Sequence, residues 1–203
     1  MIANHIHDAL GQVRRLQILI LEKRRFTGYS GTARILGGMI AGLGCSVMTI
    51  CREDLQVQLT GWCCILALAL MLNYGAVLLW FIQLPARQRN AVSISPAYDA
   101  LPPLAIGALL SIALVLKSQY DLLFGTWMCL YGLAHTVYRT SLPRSIWLVG
   151  LYYMVCGTFF LIWPGISFMN PLPAGLVFLG GEWAGGTIFH RHKIEAIRDS
   201  DDE

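Results

Sequence analysis

Charge is what this chain has least of. Only 13% of its residues are Asp, Glu, Lys or Arg, about half the share of a typical soluble domain, while 56% are hydrophobic. With a mean hydropathy of +0.56, an ordinary water-soluble domain is excluded. The familiar motifs of soluble chemistry are also missing. No Walker-type phosphate loop, dinucleotide Gly-x-Gly-x-x-Gly, His-Glu-x-x-His helix or Gly-x-Ser-x-Gly elbow is present, which argues against the usual soluble enzymes but not against chemistry within a membrane. No Cys-x-x-Cys pair occurs, so a redox or zinc site of ordinary spacing is not expected. A cleavable signal is not expected either: the first residues are polar and basic, and the apolar stretch 16–21 is too short for a signal core. The first long apolar helix then acts as an uncleaved start-transfer signal.

What the sequence does have is six apolar runs, at about 35–51, 62–84, 101–116, 122–137, 146–163 and 172–189. A hydrocarbon core of ~30 Å takes roughly 20 helical residues, with about 17 as the lower limit, so several of these runs must borrow flanking residues to cross. The third and fourth are separated only by Lys117, Ser118, Gln119, Tyr120 and Asp121, which suits a tight turn between antiparallel helices. The expected fold is all-α: a polytopic membrane bundle of six transmembrane helices. A basic amphipathic leader occupies 1–31, the transmembrane domain 32–190 and a short tail 191–203.

Basic residues resist translocation, so their distribution sets the orientation. Thirteen of the fifteen lie in alternate gaps: Arg14, Arg15, Lys23, Arg24, Arg25 and Arg34 before the first span, Arg87 and Arg89, Arg139 and Arg144, then Arg191, Lys193 and Arg198. Only Arg52 and Lys117 fall on the other side. Both termini are therefore expected in the cytoplasm. The leader places Ile6, Leu10, Val13 and Ile20 at helical spacing, with its basic residues set to meet anionic headgroups, so it reads as a helix on the cytoplasmic leaflet of the lipid bilayer. The same helix is a candidate docking element for a protein partner. The arginine-rich stretches sit at membrane edges, where topology explains them and nucleic-acid binding is not expected. The acidic end 199–203 reads as a solvated tail.

Glu182 is the unusual residue within a span, set in Gly180-Gly181-Glu182-Trp183-Ala184-Gly185-Gly186. An acid at that depth must be protonated, paired or wet, which makes it a functional candidate. Its plainer reading is a hydrogen bond across a close helix contact, because Gly181 and Gly185 form a Gly-x-x-x-Gly face. Gly38 and Gly42 lie on a second such face, in the first span, suited to packing within the chain or between two copies. His135, with Tyr131 and Tyr138 near it in the fourth span, is a candidate polar partner for Glu182 at similar depth.

Cys45, Cys129 and Cys156 fall inside spans and read as small apolar residues. Cys51, Cys63 and Cys64 lie near the outer ends of the first two spans, and on an oxidising face Cys51 could pair with Cys63 or Cys64. Two His-x-His pairs, His5/His7 and His190/His192, fall on the cytoplasmic side near Asp8 and Glu195, but residues two apart do not share a helix face, so no metal site and no cofactor is expected. Residues 132–138 faintly echo 183–189, as a duplicated helical hairpin would.

The entry Leu21-Glu22-Lys23-Arg24-Arg25-Phe26 with Tyr29-Ser30-Gly31, and the ending from Gly157 through Leu161-Ile162-Trp163 to Gly175 and Gly186, carry a resemblance. They resemble an uncharacterised bacterial six-helix integral membrane protein family with no established activity. The group often has a histidine where Glu182 falls, so a histidine-based role is not implied here. Its members are often encoded beside small winged-helix regulators, which implies a cytoplasmic regulatory partner and a bacterial inner-membrane location.

Three functional classes follow. The preferred one is a regulatory or scaffolding membrane protein with a cytoplasmic partner, since nearly all polar surface is expected on one side. The second is a small transporter or channel, working as a homo-oligomer, with Glu182 as its proton or cation site. An intramembrane or lipid-modifying enzyme is third, and has only Glu182, His135, Asn73 and the tyrosines to draw on.

Overall fold

A computed structural model describes residues 10–14, 16, 28–50, 54–85, 89, 101–137, 143 and 145–201. Among the described residues the regular secondary structure is all helical, with no strand. Six α-helices follow in order: α1 (Gly31–Ile50), α2 (Leu55–Gln83), α3 (Leu101–Leu116), α4 (Leu123–Val137), α5 (Ile146–Ile162) and α6 (Leu172–Asp201), with a 3₁₀ turn at Tyr120–Leu122 before α4. Residues 10–14 and 16 of the leader are helical; the rest of the leader helix expected from the sequence lies outside the described residues.

Capping explains where the helices begin. The Ser30 hydroxyl accepts from the Ala33 amide at 3.2 Å and starts α1 four residues before the apolar run, and the Asp54 carboxylate accepts from the Gln56 amide at 2.8 Å and starts α2 seven residues early. Both helices thereby exceed the sequence expectation of 35–51 and 62–84. These two are long and apolar enough on their own to cross a membrane, whereas α3 and α5 are apolar but shorter. The turn between α3 and α4 is tight, as its sequence implies, and Ser118 takes a left-handed φ of 55° to close it. At the end of the chain α6 runs on from the expected boundary at 189 to Asp201, so residues 191–201 prolong the last helix instead of forming a separate tail.

Two antiparallel pairs dominate the packing. In the first, Gly31 of α1 lies against Gly186 of α6, Gly38 against Leu179 and Glu182, and Cys45 against Gly175. The second joins α4 and α5 through two facing glycine pairs, Gly125 with Gly157 and Gly132 with Gly150, so that a methyl group on any of the four would meet a backbone oxygen of its opposite number at 2.6–2.8 Å. Backbones approach this closely only when no side chain stands between them. Helix α2 folds back on α1, with Gly61 under Met48 and Gly44 under Ile65, and α3 folds back on α4, where the Trp127 indole donates to Ser111 Oγ at 2.7 Å.

The two pairs meet along a seam of side chains. At the end where α1 starts, here the near end, the seam is polar. Toward the far end it is aromatic: Trp62 packs on Phe124, Trp127 and Phe178 with ring centroids 5.1–5.9 Å apart, and Phe168 from the α5–α6 connection lies on Phe124 at 5.0 Å. Asp121 ties this connection to the α3–α4 turn by accepting from the Phe168 amide at 2.7 Å.

Candidate functional site

The polar end of the seam is built around Arg34. Its position in the first turn of α1 sets a cation at the positive end of a helix dipole, an unfavourable place unless an anion is near. Glu182, reaching across from α6, is that anion. Arg34 Nε donates to Glu182 Oε2 at 2.8 Å and Nη2 donates to Oε1 at 2.9 Å, a two-pronged pair in which both side chains are buried. Two tyrosines complete the carboxylate. The hydroxyls of Tyr131 on α4 and Tyr153 on α5 donate to Glu182 Oε1 at 2.9 and 3.0 Å.

His135 enters through the arginine and not through the acid. Its Nδ1 lies 2.7 Å from the Tyr131 carbonyl oxygen, and its Nε2 lies 2.8 Å from Arg34 Nη2. A carbonyl only accepts and a guanidinium only donates, so the imidazole must carry its proton on Nδ1 and present a bare Nε2 to Arg34. The histidine is therefore neutral. Arg34 also lies over the Phe189 ring, with Cζ 5.5 Å from the centroid, and Tyr29 packs against that ring at 5.8 Å, covering the network from the near end.

Glycines make room for the side chains. A methyl group at Gly181 would overlap the Tyr153 ring, one at Gly185 would sit 2.8 Å from Arg34 Cζ, and one at Gly38 would meet Glu182 Cβ at 2.7 Å. The Gly181 and Gly185 notch thus holds an aromatic ring and a guanidinium, one on each side of Glu182. Gly42 faces Leu179 of α6, so the small face of α1 is occupied within the chain.

The sequence singled out Glu182 and His135, and the structure brings both into one cluster, linked by Arg34. Arg34 itself was read as an orientation signal ahead of the first span, and Tyr153 was not singled out. The signal for Arg34 was its place three residues past Gly31, at the mouth of a glycine-rich helix that has no other charge. Cys51 lies outside the described residues; Cys63 and Cys64 are exposed free thiols, and Cys45 is a fully buried one. His5 and His7 also lie outside the described residues. His190 instead meets the Thr32 hydroxyl at 3.3 Å, and among the described residues no group of three potential metal ligands comes together. No family model, curated protein or solved structure matches the chain.

Proposed function

We propose that this is a six-span integral membrane protein of the bacterial inner membrane with both ends in the cytoplasm. In this reading the Arg34–Glu182 network is a clamp that ties four helices together and presents the leader and the extension of α6 as a platform for a cytoplasmic regulatory protein. One observation carries the clamp: each carboxylate oxygen of Glu182 is engaged, by Arg34 alone or by Arg34 with Tyr131 and Tyr153, inside a buried cluster. A carboxylate so occupied has no free oxygen for a passing cation, so the transporter reading requires Arg34 to leave first.

Several features support the membrane setting. Among the described residues α3 has no buried residue, and it exposes Ile106, Leu109, Ile112 and Leu116; α2 likewise exposes Leu66, Met71, Leu78 and Leu79. Surface this apolar is at home in lipid. Trp147 and Trp163 stand half-exposed at the two ends of α5, as amphipathic rings do where a helix meets the two interfaces. The alternation of basic residues supplies the orientation. The platform is supported by the close approach of α1 at Gly31 and Thr32 to α6 at Gly186 and His190, which sets the start of α1 beside the stretch from which α6 runs on to Asp201.

Two experiments test the reading. Glu182→Gln in proteoliposomes should lower thermal stability and leave cation flux no different from wild type; a stable protein that loses a flux the wild type has would instead favour transport. Native mass spectrometry of the protein released from its own membranes should find a soluble protein at fixed ratio. A homo-oligomer alone would remove the partner from the reading.

A further inference from the structure

At and beside the aromatic half of the seam, α2 carries two polar groups without partners among the described residues. Among the described residues neither Trp62 Nε1 nor Gln58 Oε1 has a hydrogen-bond partner, although Gln58 is 0% and Trp62 6% exposed. The Gln58 amide nitrogen donates to the Met48 carbonyl at 2.9 Å, which fixes the amide and leaves its acceptor oxygen unpaired. Four residues apart on α2, the two side chains share one face, with about 5–6 Å between Cβ atoms. One is a donor and the other an acceptor. Unpaired buried polar atoms are unfavourable, and native structures rarely keep two together without a reason.

The walls around Trp62 are the rings of Phe124, Trp127 and Phe178, which carry no charge. Trp127 offers nothing polar, because its N–H is already given to Ser111. Phe168 is the remaining part. It comes from an irregular, uncharged connection, is fully buried, and reaches Phe124 and Trp127 at 5.0 and 6.3 Å, held in place by the Asp121 carboxylate on its amide. The ring is thus held in this cluster from a loop, by the Asp121 hydrogen bond to its amide and by packing on Tyr120, Phe124 and Trp127.

We infer that this half of the seam is a binding site for a small neutral molecule with a flat apolar body and one group that both donates and accepts, a hydroxyl or a primary amide. The ligand's oxygen accepts from Trp62 Nε1, its proton goes to Gln58 Oε1, its body lies on Phe124 and Trp127, and Phe168 is the ring it displaces. A charged ligand is excluded, since neither free group can neutralise it. The site does not rest on the clamp or on the topology.

The test uses the full chain in lipid nanodiscs, with 5-fluorotryptophan in place of tryptophan and the Trp62 ¹⁹F signal assigned by Trp62→Phe. Benzyl alcohol and toluene are the probes, alike in body but differing in the hydroxyl. The expected result is a saturable shift of the Trp62 signal with benzyl alcohol and none with toluene. Gln58→Leu should weaken benzyl alcohol about tenfold, the factor that corresponds to ~1.4 kcal/mol, and Phe168→Ala should strengthen it. The contrast between the two probes on the unaltered protein decides the matter even if Gln58→Leu does not fold. A Trp62 signal that stays put, or drifts linearly and equally with both probes, overturns the inference and leaves water as the partner of the two groups.

Discussion

A buried guanidinium is tolerable only with its acid. Arg34→Ala strands Glu182 as an uncompensated carboxylate, and Glu182→Gln strands Arg34; each should cost about 3–5 kcal/mol. Cys45, fully buried, gives a readout once the other cysteines are replaced by serine, since a thiol-reactive dye then reacts only when the packing around Cys45 opens. The pair exchanged together for Met should lose less than either single change, because no charge is then left alone. A double variant as weak as the sum of the singles would mean that the two groups do not interact. Tyr153→Phe removes one of the donors to Glu182 and should cost about 1–2 kcal/mol. The histidine makes a sharper prediction. With Nδ1 donating to the Tyr131 carbonyl and Nε2 accepting from Arg34, a ¹⁵N spectrum of the folded protein should show one protonated nitrogen, and it should be Nδ1.

Glycine has opposite meanings on different helices. Gly132 and Gly150 face each other across α4 and α5, so alanine at either should force the pair apart and cost roughly 1–3 kcal/mol. Gly75 on α2 has open space around its Cα, and Gly75→Ala should stabilise by about 0.5–1 kcal/mol through helix propensity alone. Thermal unfolding of the three variants compares the two effects in one protein.

The helices were legible in the sequence because hydrophobic runs are local: 101–116 coincides with α3, and the expected end of the fifth run misses that of α5 by one residue. Their starts were less so. Ser30 and Asp54 are cap residues whose effect depends on which amide the side chain reaches, and a hydropathy profile is blind to that. The clamp was half legible. An acid in an apolar run announces itself, but Arg34 lies at the boundary where a basic residue also serves orientation, and only the register of α1 against α6 decides that it faces inward. The pairing of Gly125 with Gly157 and of Gly132 with Gly150 is likewise a fact about two helices at once.

For the whole molecule, the two glycine-matched pairs are joined by side chains, polar at one end and aromatic at the other. The six-span reading makes a direct prediction for this assembly: a reporter active only in the cytoplasm should work when fused after Glu203 and stay silent when inserted at 117–119. Signal from both insertions would mean that α3 and α4 do not cross as a pair.

The clamp joins residues 148 positions apart, in the first and last helices. At a synthesis rate of 5–20 residues per second, roughly 7–30 s separate the two partners at the ribosome. In the six-span reading the first helix therefore enters the bilayer with a bare cation and keeps it bare until α6 has been made. A nascent chain that stops early never silences that charge. The clamp is thus among the last contacts these six helices can make, and a chain that stops before Glu182 leaves Arg34 in the first span without its acid.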